Sequence, residues 1–172
     1  QSTIYSGVWA PSCSLDDESF IFAIWIKTSD AAITGTNSKK NLIDFGYTGS
    51  LGVGHDIDLT SSLEIYFSGS GGDLHVVRNY YRLSTKALNN VHFTATGVGG
   101  DIQTTTDNPD SWRQLQIFGT NAEYYYRVHD PSHATPFSAE TSFGRVGSKP
   151  PGSDYITLPI NKVIDVGSAN WA

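Results

Sequence analysis

The sequence predicts an all-β fold in which two antiparallel sheets pack as a sandwich. Strand-like segments recur about every 8–14 residues with Gly, Asn, Asp or Pro between them, a spacing typical of sandwiches and barrels. Many of these segments alternate apolar and polar residues, which is the period of a half-buried strand. No segment of helical length carries an apolar stripe of helical period. We therefore expect one β domain spanning residues 1–172.

Five segments in the first half of the chain are expected to form strands. Residues 20–27 (FIFAIWIK) are aromatic and β-branched, and residues 41–45 form a second short strand. Residues 51–59 alternate apolar side chains with Gly and Asp, which predicts a half-buried strand. The segments 63–67 and 73–78 are joined by a turn rich in Gly and Ser, so we expect them to pair as a hairpin.

Five further strands are expected in the second half. Residues 91–96 (VHFTAT) alternate cleanly, and the alternating segment 112–118 is followed by a Gly-containing turn and the segment 123–129. Residues 155–158 and 162–166 are the last candidates. We expect the core to include Phe20, Phe22, Trp25, Leu63, Ile65, Leu115 and Ile117.

Composition limits the partners that this domain can have. Its single cysteine, Cys13, allows no intrachain disulfide. A formal net charge of −6, with no basic run longer than Lys39–Lys40, argues against a nucleic-acid partner or an anionic membrane. The longest apolar stretch, Phe20–Ile26, has the length of a strand, so we expect no membrane insertion. Because the chain starts at Gln1 and contains no Met, we expect a processed or excised segment.

Several segments share the pattern of one superfamily. Ser19–Lys27 opens with Ser-Phe and continues as alternating core residues around Trp25, and Trp112–Phe118 leads through a Gly turn into Tyr124–Val128. Together with the Gly-rich bend in Leu42–Leu59, these segments resemble the laminin-G and concanavalin A-like lectin superfamily. The resemblance implies an inward Trp, a two-sheet antiparallel jelly-roll sandwich and glycan binding. The family's calcium and sugar ligands have no positional match here, so the resemblance assigns no site.

The loop Thr104–Trp112 is the first candidate binding site. It places Asp107, Asn108 and Asp110 close to Trp112 in the sequence. Carboxylate and amide groups can bond vicinal sugar hydroxyls, and an aromatic ring can cover the apolar side of the sugar. The alternative is a structural loop in which Asp and Asn stabilise turns and Trp112 belongs to the core.

The strand end Asn79, Tyr80, Tyr81 and Arg82 is the second candidate, because exposed Tyr and Arg together are typical of binding faces. Alternate side chains of a strand point to opposite faces, so at most one of the two Tyr is expected to be exposed. The alternative is a purely structural role. The same alternation forces an exposed aromatic within Tyr124–Tyr126, but the sequence does not decide which one.

Metal ligands and catalytic groups are sparse in the sequence. Asp56 and Asp58 share a strand face and could hold Ca²⁺ if a loop supplied carbonyls, although such pairs are common on solvated faces. We therefore assign no metal and no cofactor, with Ca²⁺ as the one open possibility. No Gly-X-Ser-X-Gly elbow and no recognised pattern of paired catalytic carboxylates occurs, so we do not expect an enzyme.

These observations favour a carbohydrate-binding, lectin-like or adhesion module that recognises a glycan or glycoprotein. We expect it to form a homo-oligomer, because weak single sites gain avidity that way. One alternative is a structural or receptor-binding head domain of a viral or phage spike, and a second is a glycan-degrading enzyme on the same fold. The expected location is extracellular or on a virion surface, with the cytosol left open.

Overall fold

A computed structural model describes residues 3–5, 20–27, 39–69, 72–102, 112–120, 123–129, 141–146 and 154–167. Strands dominate these ranges, and a single short helix interrupts them. In chain order the elements are β1 Thr3–Tyr5, β2 Phe20–Lys27, β3 Lys40–Ser50, β4 Asp56–Ser68, β5 Asp73–Arg82, β6 Ala87–Ala95, α1 Val98–Ile102, β7 Arg113–Thr120, β8 Glu123–His129, β9 Thr141–Ser142, β10 Gly144–Val146, β11 Tyr155–Thr157 and β12 Lys162–Val166.

The described strands form two sheets, and neighbouring strands pair antiparallel. The five-stranded sheet has the order β1-β2-β7-β8-β9. The seven-stranded sheet has the order β10-β6-β5-β4-β3-β12, with β11 paired to β5. The predicted all-β class with two antiparallel sheets is therefore confirmed.

The inner faces of the two sheets share one hydrophobic core. Phe93 of β6 stacks on Tyr124 of β8, with ring centroids 3.9 Å apart, and this contact joins the seven-stranded sheet to the five-stranded sheet. Phe22 of β2 meets Phe45 of β3 edge-on at 6.5 Å. The predicted core residues Leu63, Ile65, Leu115 and Ile117 are all buried, whereas Phe22 is half-buried and the side chain of Phe20 lies outside the described residues.

The predicted strand at residues 51–59 is correct only from Asp56 onward. Residues 51–55 form a turn, in which the Leu51 amide donates to the His55 carbonyl at 3.0 Å. Gly52 and Gly54 have φ angles of 134° and 74°, which side chains other than hydrogen rarely allow. The alternation of Gly and apolar residues here therefore reflects a turn, and not the pleat of a strand. The sequence also gave no signal for α1, a helix of only five residues.

The seven-stranded sheet divides at Arg78. From Leu63 onward β4 pairs with β5, whereas its earlier part pairs with β3 alone. Beyond Arg78, β5 pairs with β11 in place of β4, and Thr157 lies opposite Tyr80. The buried Arg78 guanidinium joins the two branches, since it donates to the Ser62 carbonyl and the Leu158 carbonyl, each at 3.1 Å.

Asn161 continues this junction toward β3. Its backbone amide donates to the Gly46 carbonyl at 3.0 Å, and its side chain both accepts from the Thr48 amide at 3.1 Å and donates to the Thr48 carbonyl at 2.8 Å. The amide side chain thereby substitutes for a strand residue just before β12 begins. The segment from β11 to β12 is thus fixed between β5 and β3.

Candidate functional site

The outer face of the five-stranded sheet carries aromatic, amide and aliphatic side chains, of which Ile21, Ala23 and Trp25 are exposed and the others half-buried. Along β2, β7 and β8 these outward residues alternate with buried core residues, as the pleat of a strand requires. We call this surface the aromatic face. Its described side chains are Ile21, Ala23, Trp25, Gln114, Gln116, Phe118, Tyr125, Arg127 and His129.

Strand register arranges these residues in three rows across the sheet. One end row contains Trp25, paired through Gln114 to His129, whose ring meets the indole edge-on at 5.6 Å. The other end row contains Phe118 and Tyr125, whose rings are stacked with centroids 5.9 Å apart. The end rows lie four residues apart along each strand, which is about 13 Å at about 3.3 Å per residue.

The middle row supplies hydrogen-bonding groups. Arg127 Nε donates to Gln116 Oε1 at 2.6 Å, and Gln116 Nε2 donates to Gln114 Oε1 at 2.7 Å. The Arg127 guanidinium also lies 5.9 Å from the centre of the Phe118 ring. These bonds fix the orientation of the Gln116 amide and the Arg127 guanidinium in the middle row and of the Gln114 amide in the end row of Trp25.

Exposure on the aromatic face is high for apolar side chains. Ile21 is 82% exposed and Trp25 is 38% exposed. The predictions that Trp25 is buried and that it points inward are therefore wrong. The core side of β2 is formed by Ile24 and Ile26, and because both sides of this strand are apolar, the sequence pattern did not identify the buried one.

The outer face of the seven-stranded sheet is polar and largely paired with itself. We call it the polar network, and its members are Lys39, Asn41, Asp44, Ser61, Glu64, Tyr66, His75, His92, Thr94 and Asp165. Asp165, Asp44 and Glu64 are in register on the adjacent strands β12, β3 and β4. Each carboxylate has a partner: Asn41 Nδ2 donates to Asp165 at 3.1 Å, Ser61 Oγ donates to Asp44 at 2.6 Å, and Lys39 forms a salt bridge with Glu64.

Two histidines lie at the centre of the polar network. His75 Nδ1 and His92 Nε2 are 2.9 Å apart, and Tyr66 stacks on His75 with ring centroids 4.8 Å apart. Burial lowers the pKa of both imidazoles, and the charge of His92 lowers the pKa of His75 further. Burial also raises the pKa of Asp44, an effect opposed by its hydrogen bond from Ser61 and reinforced by repulsion from Glu64.

The candidate strand end at residues 79–82 has a structural role. Tyr80 and Tyr81 are 2% and 6% exposed, so neither ring is accessible, which agrees with the expectation that at most one of them is exposed. Both are buried because β5 lies between the main core and a second small cluster around Leu158, and each Tyr packs into one of them. Asn79 Nδ2 donates to the Ser61 carbonyl at 2.8 Å, which joins β5 to β4.

Arg82 fixes the start of β11. Its Nε donates to Asp154 at 2.8 Å, and its guanidinium lies over the Tyr155 ring at 5.3 Å. Asp154 also accepts from Ser84, and the hydrogen bonds from Ser84 and Arg82 hold the pKa of Asp154 at about 2. This arrangement explains the adjacent Tyr and Arg residues of the sequence without requiring a bound ligand.

The other candidate loop is only partly described. Asp107, Asn108 and Asp110 lie outside the described residues, and the half-buried Trp112 directly precedes β7. Asp56 and Asp58 are exposed on β4, as expected for residues on one strand face. Across the described ranges, no three His, Cys, Asp or Glu side chains converge in a group that could hold a metal ion.

Sequence reasoning missed the aromatic face because it depends on which strands are neighbours. The segments 20–27 and 112–118 were each identified, and Gln114, Gln116 and Phe118 were correctly placed on one side of their strand. Nothing in the sequence indicated that β2 pairs with β7, which brings Trp25 beside Gln114. The available signal was that residues 20–27 are apolar on both faces of the strand, so that a core on one side would leave an apolar surface on the other.

Comparison with known proteins gives no family assignment. No protein-family model, curated protein or solved structure matches this chain. Within the part that the structure describes, no helix is long and apolar enough to cross a membrane. The site therefore has to be interpreted from its own chemistry.

Proposed function

We propose that this chain is a non-catalytic carbohydrate-binding module whose glycan lies on the aromatic face. The observation that carries the proposal is the indole of Trp25, which is 38% exposed on a sheet surface that also carries the exposed Ile21 and the half-buried Phe118. Exposed apolar surface bounded by polar groups marks interaction sites on soluble domains. Here the polar groups are oriented amides and a guanidinium, which suit sugar hydroxyls.

Sugar recognition explains the mixture of groups better than a purely apolar partner does. The C–H face of a pyranose packs on an aromatic ring, while its hydroxyls need donors and acceptors at fixed positions. Both kinds of group are present on this face. Gln114 lies in the row of Trp25, and Gln116 and Arg127 lie in the adjacent middle row. An apolar partner would leave these three side chains desolvated without new hydrogen bonds, at a cost in free energy.

The finer fold assignment belongs to the same proposal. A jelly-roll arrangement of the laminin-G and concanavalin A-like type agrees with two antiparallel sheets. An extracellular or virion-surface location is the setting in which such a module meets glycans. A receptor-binding spike head would use the same chemistry if its receptor is a glycan.

The first test is a Trp25→Leu variant, with Leu88→Ala as its control. Leu88 is 49% exposed on β6 of the other sheet, so its truncation removes comparable apolar surface away from the site. For a ligand selected on a glycan array, calorimetric titration should show Trp25→Leu binding at least tenfold more weakly, which is about 1.4 kcal/mol. Leu88→Ala should bind like the wild type. Both variants should melt within about 4 °C of the wild type, because a partly exposed side chain contributes little to stability.

Three results would count against the proposal. A wild-type protein that binds no glycan on the array would reject carbohydrate binding. Unchanged affinity in Trp25→Leu would place the glycan elsewhere on the molecule. Release of new reducing ends when the protein is incubated with the glycan would show that the chain is a glycan-degrading enzyme and not a binding module.

A further inference from the structure

The aromatic face offers two separate stacking positions. Trp25 stands in one end row, and Phe118 stands in the other end row on the neighbouring strand. The rows are about 13 Å apart along the strands, as estimated from the rise of an extended chain. A single sugar ring is much smaller than this distance, so it cannot contact both aromatic rows.

The surface between these positions carries polar side chains. Ala23, which is exposed, lies opposite the half-buried Gln116 in the middle row. Gln116 Nε2 and Oε1 are both held by neighbours, so the amide plane has a fixed orientation. A ligand that reaches from one aromatic row to the other must pass over these hydrogen-bonding groups.

From these positions we infer that the face binds an extended glycan chain lying along β2 and β7, and that it recognises an internal segment of at least three sugars. The inference rests on the proposed function of the same face. Sites that select a single terminal sugar enclose it in a pocket, whereas a sheet surface contacts one side of a longer ligand. In this arrangement Trp25 and Phe118 act as two linked subsites, and the second contact forms at a high effective concentration once the first is made.

The test is a chain-length series on the wild-type protein. The probes are β-1,4-linked oligomers of glucose, of xylose and of N-acetylglucosamine, and α-1,4-linked oligomers of galacturonic acid, each from one to six units. For the series that binds, we expect affinity to rise at least tenfold between one and about three or four units, and then to level off once both aromatic rows are occupied.

Two variants link the length dependence to the two rows. Trp25→Leu and Phe118→Leu keep apolar bulk but remove the aromatic surface at one end. Each should bind long oligomers at least tenfold more weakly and should lose most of the gain with length, whereas Leu88→Ala should keep it. In the double variant, the loss of affinity for long oligomers should differ from the sum of the two single losses. Either substitution alone already breaks the linkage between the two subsites.

The outcomes separate this inference from the proposed function. Binding that is equally tight for one unit and for six overturns the extended chain and leaves carbohydrate binding intact. A length dependence that survives in both Leu variants also overturns it, because the two rows would then not be the subsites. If the wild type binds no oligomer and no array glycan, both the inference and the proposed function fail.

Discussion

At the scale of single residues, the contact between His75 and His92 limits how many protons the pair can carry. Two imidazole nitrogens 2.9 Å apart form a hydrogen bond only when one donates and the other accepts. Full protonation of both rings would place two N–H groups against each other. Glu64 from β4 and Asp73 from β5 favour the charged forms, but burial outweighs them and the pKa of each histidine is lowered. The folded protein therefore prefers the neutral pair.

This preference predicts a loss of stability in mild acid. A histidine with a lowered pKa in the folded state stabilises the fold above its unfolded value of about 6.5, and that contribution is lost as the pH falls below it. We expect the melting temperature to be constant above about pH 7 and to fall between about pH 6.5 and pH 5. The fall should be smaller in His75→Gln and in His92→Gln. A melting temperature that is independent of pH over this interval would contradict the prediction.

Two carboxylates with shifted pKa values affect the pH dependence of stability in opposite directions. Asp154, with its pKa held at about 2, stabilises the fold above the unfolded value of 3.8 and loses that contribution only in stronger acid. Asp44 has a raised pKa, so its protonation works in the opposite direction, favouring the fold as the pH falls. A loss near pH 6 that becomes smaller in His75→Gln and in His92→Gln is therefore assigned to these two histidines. NMR titration of their ring nitrogens should resolve two coupled steps.

At the scale of elements, the division of the seven-stranded sheet depends on Arg78. Its buried guanidinium satisfies carbonyls of β4 and of the segment that follows β11. Arg78→Met should lower the free energy of unfolding by about 2–5 kcal/mol, because two buried carbonyls lose a charged donor. Arg82→Met on the same strand is the matched control and should lose clearly less stability, because its salt bridge lies at the surface. Urea denaturation measures both, and equal losses would show that Arg78 has no special role at the junction.

The same junction illustrates what the sequence can and cannot predict. β2, β8 and β12 begin and end where the residue pattern placed them, because apolar alternation between turn residues specifies a strand locally. Arg78 and Asn161 carry no such local signal, because their partners are distant in the sequence. Arg78 bonds to Leu158, 80 residues away, and Asn161 bonds to Thr48, 113 residues away. The prediction that Trp25 is buried was wrong for a related reason. Alternation identifies the two faces of a strand, but which face is buried depends on which one the other sheet covers.

At the scale of the whole molecule, the two sheets have different outer surfaces. The polar network of the seven-stranded sheet pairs its charges internally through contacts such as Lys39 with Glu64 and Ser61 with Asp44. The five-stranded sheet exposes Ile21 and the aromatic Trp25, whereas the exposed large apolar residues of the seven-stranded sheet are aliphatic and lie outside the polar network: Leu59, Leu88, Val163 and Ile164. A surface whose charged groups are already paired with each other gains little from a partner. Covering an exposed aromatic group with a ligand, in contrast, is favourable because it removes apolar surface from water. This difference is why the proposed ligand is placed on the five-stranded sheet.

A second copy of the chain is the main competitor for that surface, and sedimentation velocity separates the two. A stable homodimer interface buries about 800 Å² per partner around an apolar centre, but the centre of the aromatic face is the hydrogen-bonded row of Gln116 and Arg127. A net charge of −6 on each copy adds repulsion. We therefore expect any homo-oligomer to form through other surfaces, so that Trp25→Leu and a saturating oligosaccharide leave the sedimentation coefficient of the assembly unchanged. Dissociation of an oligomer by either one would identify the aromatic face as a contact between copies.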